Sequence, residues 1–268
     1  MVTASSVITG TKVTDEGTIA APDASQPRAA LSAQRTDNVG AVLIGTNPFF
    51  RWSYVTDNWS QIQADLVQHI ELSVIAVAIG TAISIPLAVL AWRYRIVRAP
   101  VFGIASTLYI IPSLALFAIL VPITGAYSYV TAEVALVGYT LLIMIWNTVA
   151  GLDAVPEDAR DAATGLGYTP MSALIRVDLP LALPFVFAGL RVATATVIGL
   201  VTVTALIGLG GLGQQITYGF NIGYNTPIIV GLVLSIALAA VADLLLVGAQ
   251  RLAVPWSRTR RPRELAGV

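Results

Sequence analysis

Apolar residues are gathered into long blocks separated by short polar stretches. Residues 1–38 are rich in Thr, Ser, Ala, Asp and Pro and show no periodicity, the pattern of a disordered tail. Val39–Phe50 is apolar but short and is interrupted by Pro48. About 20 apolar residues are needed to cross a bilayer. This stretch is therefore expected at the interface, with Trp52, Tyr54 and Trp59 as headgroup-level anchors. Leu72–Trp92 is the first run of crossing length, and Pro86 is expected to kink it. After Arg93, Arg95 and Arg98 comes an uncharged run from Ala99 to Ala132. Its part up to Ile123 predicts a second span, interrupted by Pro112 and Pro122, and Gly125–Thr131 predicts a turn. Val134–Leu152 predicts a third span, Leu181 to Leu209 a fourth that contains Arg191, and Ile228–Gly248 a fifth. A Gly-rich connector, Gly210–Pro227, joins the last two.

Composition agrees with the blocks. The chain of 268 residues is 56% apolar and 11% charged, against about 25% charged in ordinary soluble domains. Net charge is zero, so no basic footprint for nucleic acid exists. Cysteine is absent, which excludes disulfides, thiolate metal sites and cysteine nucleophiles. No basic segment followed by an apolar core opens the chain, so no cleaved signal peptide is evident. No internal repeat is visible. Arginine placement sets an orientation, because Lys and Arg favour the cytoplasmic side. Arg93, Arg95 and Arg98 follow the first span, Arg160 and Arg176 follow the third, and Arg251, Arg258, Arg260, Arg261 and Arg263 follow the fifth. The connectors after spans two and four carry none. The polar loop and the C-terminus are expected inside, and the N-terminus outside.

That polar loop, Glu157–Pro180, is too long for a bare connector between helices, for which two to eight residues are usual. Pro156 suits a first helical position, and Glu157 and Asp158 suit the positive end of the helix dipole. Val155, Ala159, Ala162, Ala163 and Leu166 fall on one narrow, methyl-rich face. Gly165 and Gly167 are expected to end this helix. Thr169-Pro170 reads as a new N-cap and first residue. The second short helix, Met171–Asp178, is expected to stop before Pro180. The result is a cytoplasmic helical hairpin.

Asp161-Ala162-Ala163, three residues, Gly167, nine residues and Val177-Asp178-Leu179-Pro180 resemble the EAA loop of binding-protein-dependent ABC importer permeases. Asp and Val stand where that pattern has Glu and Ile. His69–Ser73, Ile85-Pro86-Leu87, Ile111–Phe117, Leu179–Pro184, Ala188–Arg191 and Gly210–Gly213 are similar to the glycine betaine, choline and osmoprotectant branch of that family. The resemblance implies an all-α membrane protein of about five transmembrane helices with a MetI-like fold. It divides the chain into a tail (1–58), a permease domain (59–250, with the loop at 153–180) and a basic cytoplasmic tail (251–268). It implies that Asp161, Ala162, Ala163, Gly167, Leu179 and Pro180 couple the chain to a cytoplasmic ATPase dimer. It also implies a second permease copy or paralogue, an extracytoplasmic solute-binding protein, and a place in the bacterial cytoplasmic membrane.

Several competing readings are weighed by residue chemistry. A phosphate-cradling ATPase loop needs a lysine, and the sole lysine, Lys12, has no such pattern around it. ATP and magnesium are therefore expected on a partner, with no cofactor, no metal and no catalysis in this chain. Gly208–Gly213 fits Gly-x-Gly-x-x-Gly but follows a span, not a strand. An intramembrane enzyme would need grouped acids, histidines or nucleophiles at depth. The single histidine, His69, is expected at the interface just outside the first span. Arg191 and Asp243 lie at similar depth in spans four and five and predict an ion pair, with pore lining and snorkelling to the interface as the alternatives. Tyr109, Phe117, Tyr139 and Trp146 offer aromatic faces for a quaternary amine, or plain packing. A permease for another small solute, an amino acid or methionine-like compound, and an ion-coupled secondary transporter remain the alternatives.

Overall fold

The computed structural model describes residues 49–125 and 128–257. The tail up to Pro48, with most of the Val39–Phe50 stretch, and the arginines from Arg258 onward lie outside the described residues. Every described element is helical. A short helix, α1 (Trp52–Asp57), precedes α2 (Trp59–Arg93), α3 (Arg95–Ile110), α4 (Ser113–Thr124) and α5 (Tyr129–Asp153). The polar loop holds α6 (Glu157–Gly165) and α7 (Pro170–Ala173). Then follow α8 (Leu179–Thr204), α9 (Leu212–Ile222) and α10 (Asn225–Ala253).

Four helical stretches are long and apolar enough to cross a membrane: Trp59–Arg93, Tyr129–Asp153, Pro170–Ile207 and Asn225–Ala253. The second span expected from the sequence is not one helix. α3 and α4 meet at 98°. Ile111 is held extended at φ −61°, ψ 123°, and Pro112 follows at φ −55°, ψ 136°. Proline disfavours the helical region for the residue before it, and that local rule breaks the run. The bent pair returns the chain from the arginine-rich end to the opposite end, where α5 begins.

The first span also differs from expectation. Trp59 opens a 35-residue helix that runs through Pro86 without a break; it is longer than a bilayer core requires and leaves Trp59 at its outer end.

Helix α5 is the hub. Of its most apolar window 61% is buried, against 11% for α10. Leu72 and Ala76 of α2 meet Ala132 and Leu136 of α5 and Val197 and Val201 of α8. Toward the arginine-rich end, Ala88, Ala105, Ile145 and Val149 join α2, α3 and α5. Leu116 and Phe117 of α4 pack with Ala135 and Tyr139. Alanines occur in each of these seams because, in lipid, close packing rather than water release drives helix association. A methyl at Gly189 would sit 2.6 Å from Asn147 Cβ, so α5 and α8 cross nearly backbone to backbone there.

The stop expected before Pro180 is absent. α7 passes into a π-helical turn, Leu174–Asp178, and directly into α8. Leu179 stays helical at φ −62°, ψ −46°. Proline lacks an N–H and its ring crowds the carbonyl one turn back. A widened i→i+5 turn accommodates both without ending the helix. The second half of the loop, from Pro170, and α8 are consequently one continuous helical stretch.

Candidate functional site

The loop is built by local rules. Pro156 sits one position earlier than expected, as the N-cap, and its carbonyl accepts from Ala159 N at 3.1 Å. Glu157 and Asp158 occupy the first turn, where the dipole favours them. At the other end Tyr168 N donates to Ala163 O and Gly167 N to Thr164 O, at 3.0 and 2.9 Å. This is a Schellman closure. It needs a left-handed residue, and Gly167 supplies it at φ +80°. Thr169 Oγ1 then accepts from Ser172 N at 3.3 Å, capping α7 with Pro170 in its first turn.

The methyl-rich face expected as one surface is split. Val155 and Ala163 are buried within the chain, whereas Leu166 is 76% exposed and Asp161, Ala162, Gly165 and Gly167 are exposed. Met171 and Ile175 are also exposed. Leu166, Met171 and Ile175 thus form an apolar crest around the Gly167 turn, on a loop beyond the apolar blocks. Met171 and Ile175 were not singled out by the sequence reading, although two bulky apolar residues in a polar loop were the available signal. Asp178 and Leu179–Pro180 face inward or sit at the base of α8, with Asp178 buried.

Arg160 turns inward. Its Nε donates to Asp178 Oδ1 at 2.9 Å, and its Nη2 donates to Leu152 O at 2.6 Å. Its guanidinium lies 5.1 Å from the Trp92 ring centroid. Nearby, Arg98 pairs with Asp153 at 3.2 Å, and Arg176 lies over Tyr168.

Between the spans, Arg191 of α8 meets Asp243 of α10 through two parallel bonds, Nε to Oδ1 at 2.6 Å and Nη2 to Oδ2 at 2.9 Å. Bidentate Arg–carboxylate geometry is the strong form of the pair.

The connector Gly210–Pro227 is not irregular throughout, because α9 occupies Leu212–Ile222. The Gly208–Gly213 stretch follows a helix and a 3-10 turn rather than a strand. It makes a tight fold-back. Gly211 has φ +43°, and an added Cβ would lie 2.5 Å from Asp65 O. Gly211 N donates to Gln68 Oε1. Beside it Tyr54 OH donates to Gln215 Oε1 at 2.6 Å, and Gln215 Nε2 donates to the buried Asp65. Burial away from water pushes the Tyr54 phenol up to about 12, with neighbouring Tyr218, Asp65 and Tyr224 adding to the shift.

His69 is corrected by the fold. It is fully buried on α2, with Nε2 3.0 Å from Ile198 O, not interfacial. The four aromatics form no box: Tyr109 packs edge-on to Tyr139, Phe102 to Trp146, and Phe117 is core. The Tyr139 hydroxyl donates to Ile111 O. Among the described residues no group of His, Asp or Glu is arranged to hold a metal.

The family described as "Binding-protein-dependent transport system inner membrane component" matches residues 80–252. The chain is 35% identical over 197 residues to the osmoprotectant import permease protein OsmW of Salmonella typhimurium, covering 72% of this chain and 92% of that protein. It is 34% identical over 207 residues to the choline transport system permease protein OpuBB of Bacillus subtilis, covering 77% and 95%. A solved chain of the inward-facing MetNI methionine ABC transporter superposes with TM-score 0.66 at 23% identity, over 74% of this chain and 98% of the other. That likeness bears on the fold, which is MetI-like. The matched span runs from the middle of α2 to the end of α10 and takes in the loop, the ion pair and the Gly-rich fold-back. The chain belongs to the family of binding-protein-dependent transport system inner membrane components, multi-pass permeases of the bacterial cytoplasmic membrane.

Proposed function

We propose that the chain forms half of the path by which a small osmoprotectant, such as glycine betaine, choline or carnitine, enters the cell. In this reading a second copy or a paralogue supplies the other half. Two ATPase subunits bind the cytoplasmic face and carry the ATP and magnesium. An extracytoplasmic protein captures the solute and hands it over.

The observation that carries the coupling role is the exposed crest of Leu166, Met171 and Ile175 around the Gly167 turn. An apolar patch rimmed by polar residues and outside the hydrocarbon calls for a protein partner. Asp161, Ala162, Ala163 and Gly167 then shape the plug, and Leu179 and Pro180 join it to α8. The substrate class is supported by the names of the relatives, which specify osmoprotectant and choline import.

The test is uptake of labelled glycine betaine, choline or carnitine by the reconstituted complex with and without ATP, beside a Gly167→Asp variant. A side chain at φ +80° costs about 1–2 kcal/mol in the left-handed region, and the added charge sits on the apolar crest. The expected result is normal membrane insertion with ATP-dependent uptake lost. Uptake at the unmodified rate in Gly167→Asp would remove the loop from the coupling path.

A further inference from the structure

The loop's arginines invite assignment to the motor, since a cation on an exposed loop has water or a partner to face. Arg160 instead turns most of its side chain inward. Its side chain is 31% exposed and that of Asp178 only 6%. The guanidinium reaches three separate parts of the chain at once. Nε bonds the carboxylate of Asp178 in the π-helical turn at 2.9 Å. Nη2 bonds the carbonyl of Leu152 at the last turn of α5, at 2.6 Å. The flat face lies 5.1 Å from the ring of Trp92 at the last turn of α2. Each contact suits a guanidinium. The carboxylate takes a charge-assisted bond. A helix C-terminus favours a cation. An indole face attracts one as well.

We infer that Arg160 is a positioning residue that pins the coupling loop to the inner ends of α2, α5 and α8, so that the loop moves the bundle as a rigid lever. This rests on the importer reading above. Without the pin, α6 joins the bundle through the chain connection at Ala154–Pro156 on one side and the Gly165–Gly167 turn on the other. Both are short turns held by a few backbone hydrogen bonds and by the buried Val155 and Ala163, and with no side-chain tie across them a push at Gly167 would bend the hairpin instead of turning α8. With the pin, α6 and the π-turn form a closed frame over the ends of α2 and α5. Lysine cannot replace the arginine. Its ammonium is a point charge on a flexible stem and lacks the planar fork that serves two acceptors and a ring together.

The chain has no cysteine, which permits a direct test on the full chain in lipid nanodiscs. Spin labels are placed at Leu90→Cys on α2 and Met171→Cys on α7, both exposed and neither in contact with Arg160. The label-to-label distance distribution is expected to be narrow, and to broaden in Arg160→Lys and in Asp178→Asn. Distributions unchanged in both variants overturn the pin. In the complex with its ATPase, Arg160→Lys is expected to co-purify with the motor undiminished while solute moved per ATP hydrolysed falls about tenfold, within the usual range of coupling effects. Lost co-purification overturns the inference by making Arg160 a motor contact, and so does an unchanged transport-to-hydrolysis ratio. If the unsubstituted complex shows no ATP-dependent uptake at all, the importer reading fails, and the label distances alone decide the pin.

Discussion

Arg191 and Asp243 show what one residue pair can do in a hydrocarbon setting. Each is costly alone at depth. Sharing two hydrogen bonds offsets part of that cost and fixes the rotation of α10 against α8. That constraint matters because α10 buries little of itself in this chain, so apolar packing alone leaves its rotation weakly specified. The expected outcome of a double-mutant cycle is loss of folded, monodisperse protein in Arg191→Ala and in Asp243→Ala, with partial recovery when both are changed. Size-exclusion chromatography of the detergent-solubilised chain reads this directly. Strictly additive losses would mean the two charges act independently. Similar depth was legible from counting residues along two apolar runs. The bidentate geometry was not, because it depends on the rotation of each helix about its axis.

At the scale of elements, local chemistry was readable and tertiary choices were not. Thr169 as an N-cap and Gly167 as a left-handed closure are written in the residues themselves, and the fold uses both. The presence and order of the third, fourth and fifth spans followed from apolar length, although each helix starts earlier than expected, the fourth at Pro170. Four features did not follow. Pro112 breaks its run as expected, but Pro122, expected to interrupt it too, lies inside α4. Pro180 is absorbed by a π-turn whose existence depends on how α7 meets α8. His69 is buried by a carbonyl 129 residues away, and α9 hides in a glycine-rich connector because its apolar face is completed only by α10. The tie between α1 and α9 carries its own prediction. Tyr54 is raised to about 12, so its hydroxyl remains a donor to Gln215 wherever the unfolded chain's tyrosines, near 10, are still protonated. The contribution of this tie to stability is therefore complete below about pH 10 and is lost as pH rises through about 12. Phenolate absorbance in the difference between the unsubstituted chain and Tyr54→Phe is expected to titrate near pH 12. A midpoint near 10 would mean that the hydroxyl is solvated and the tie open.

Over the whole molecule, the arginines are concentrated toward one end. Arg93, Arg95, Arg98, Arg160, Arg176 and Arg251 gather where α2, α5 and α10 end and the loop begins. Trp52, Trp59, Tyr218 and Phe220 are exposed on α1, the start of α2 and α9, at the far end of the same helices. Bilayers impose the arginine bias, since cytoplasmic segments retain Lys and Arg, while Trp and Tyr collect at headgroup level on both sides. Under the proposed function, that bias puts the end carrying the coupling loop and Arg160 in the cytoplasm, toward the ATPase, and the fold-back with α9 outside, toward the arriving solute. Because cysteine is absent, Met171→Cys and Tyr218→Cys each give one labelling site, both with exposed parent side chains. In cells expressing the chain without an ATPase partner, a membrane-impermeant maleimide is expected to label Tyr218→Cys on intact spheroplasts. Met171→Cys is expected to react only after the membrane is opened or in inverted vesicles. The reverse pattern would place the loop outside, beyond the reach of ATP, and would end its assignment as the point where hydrolysis is converted into movement of α8.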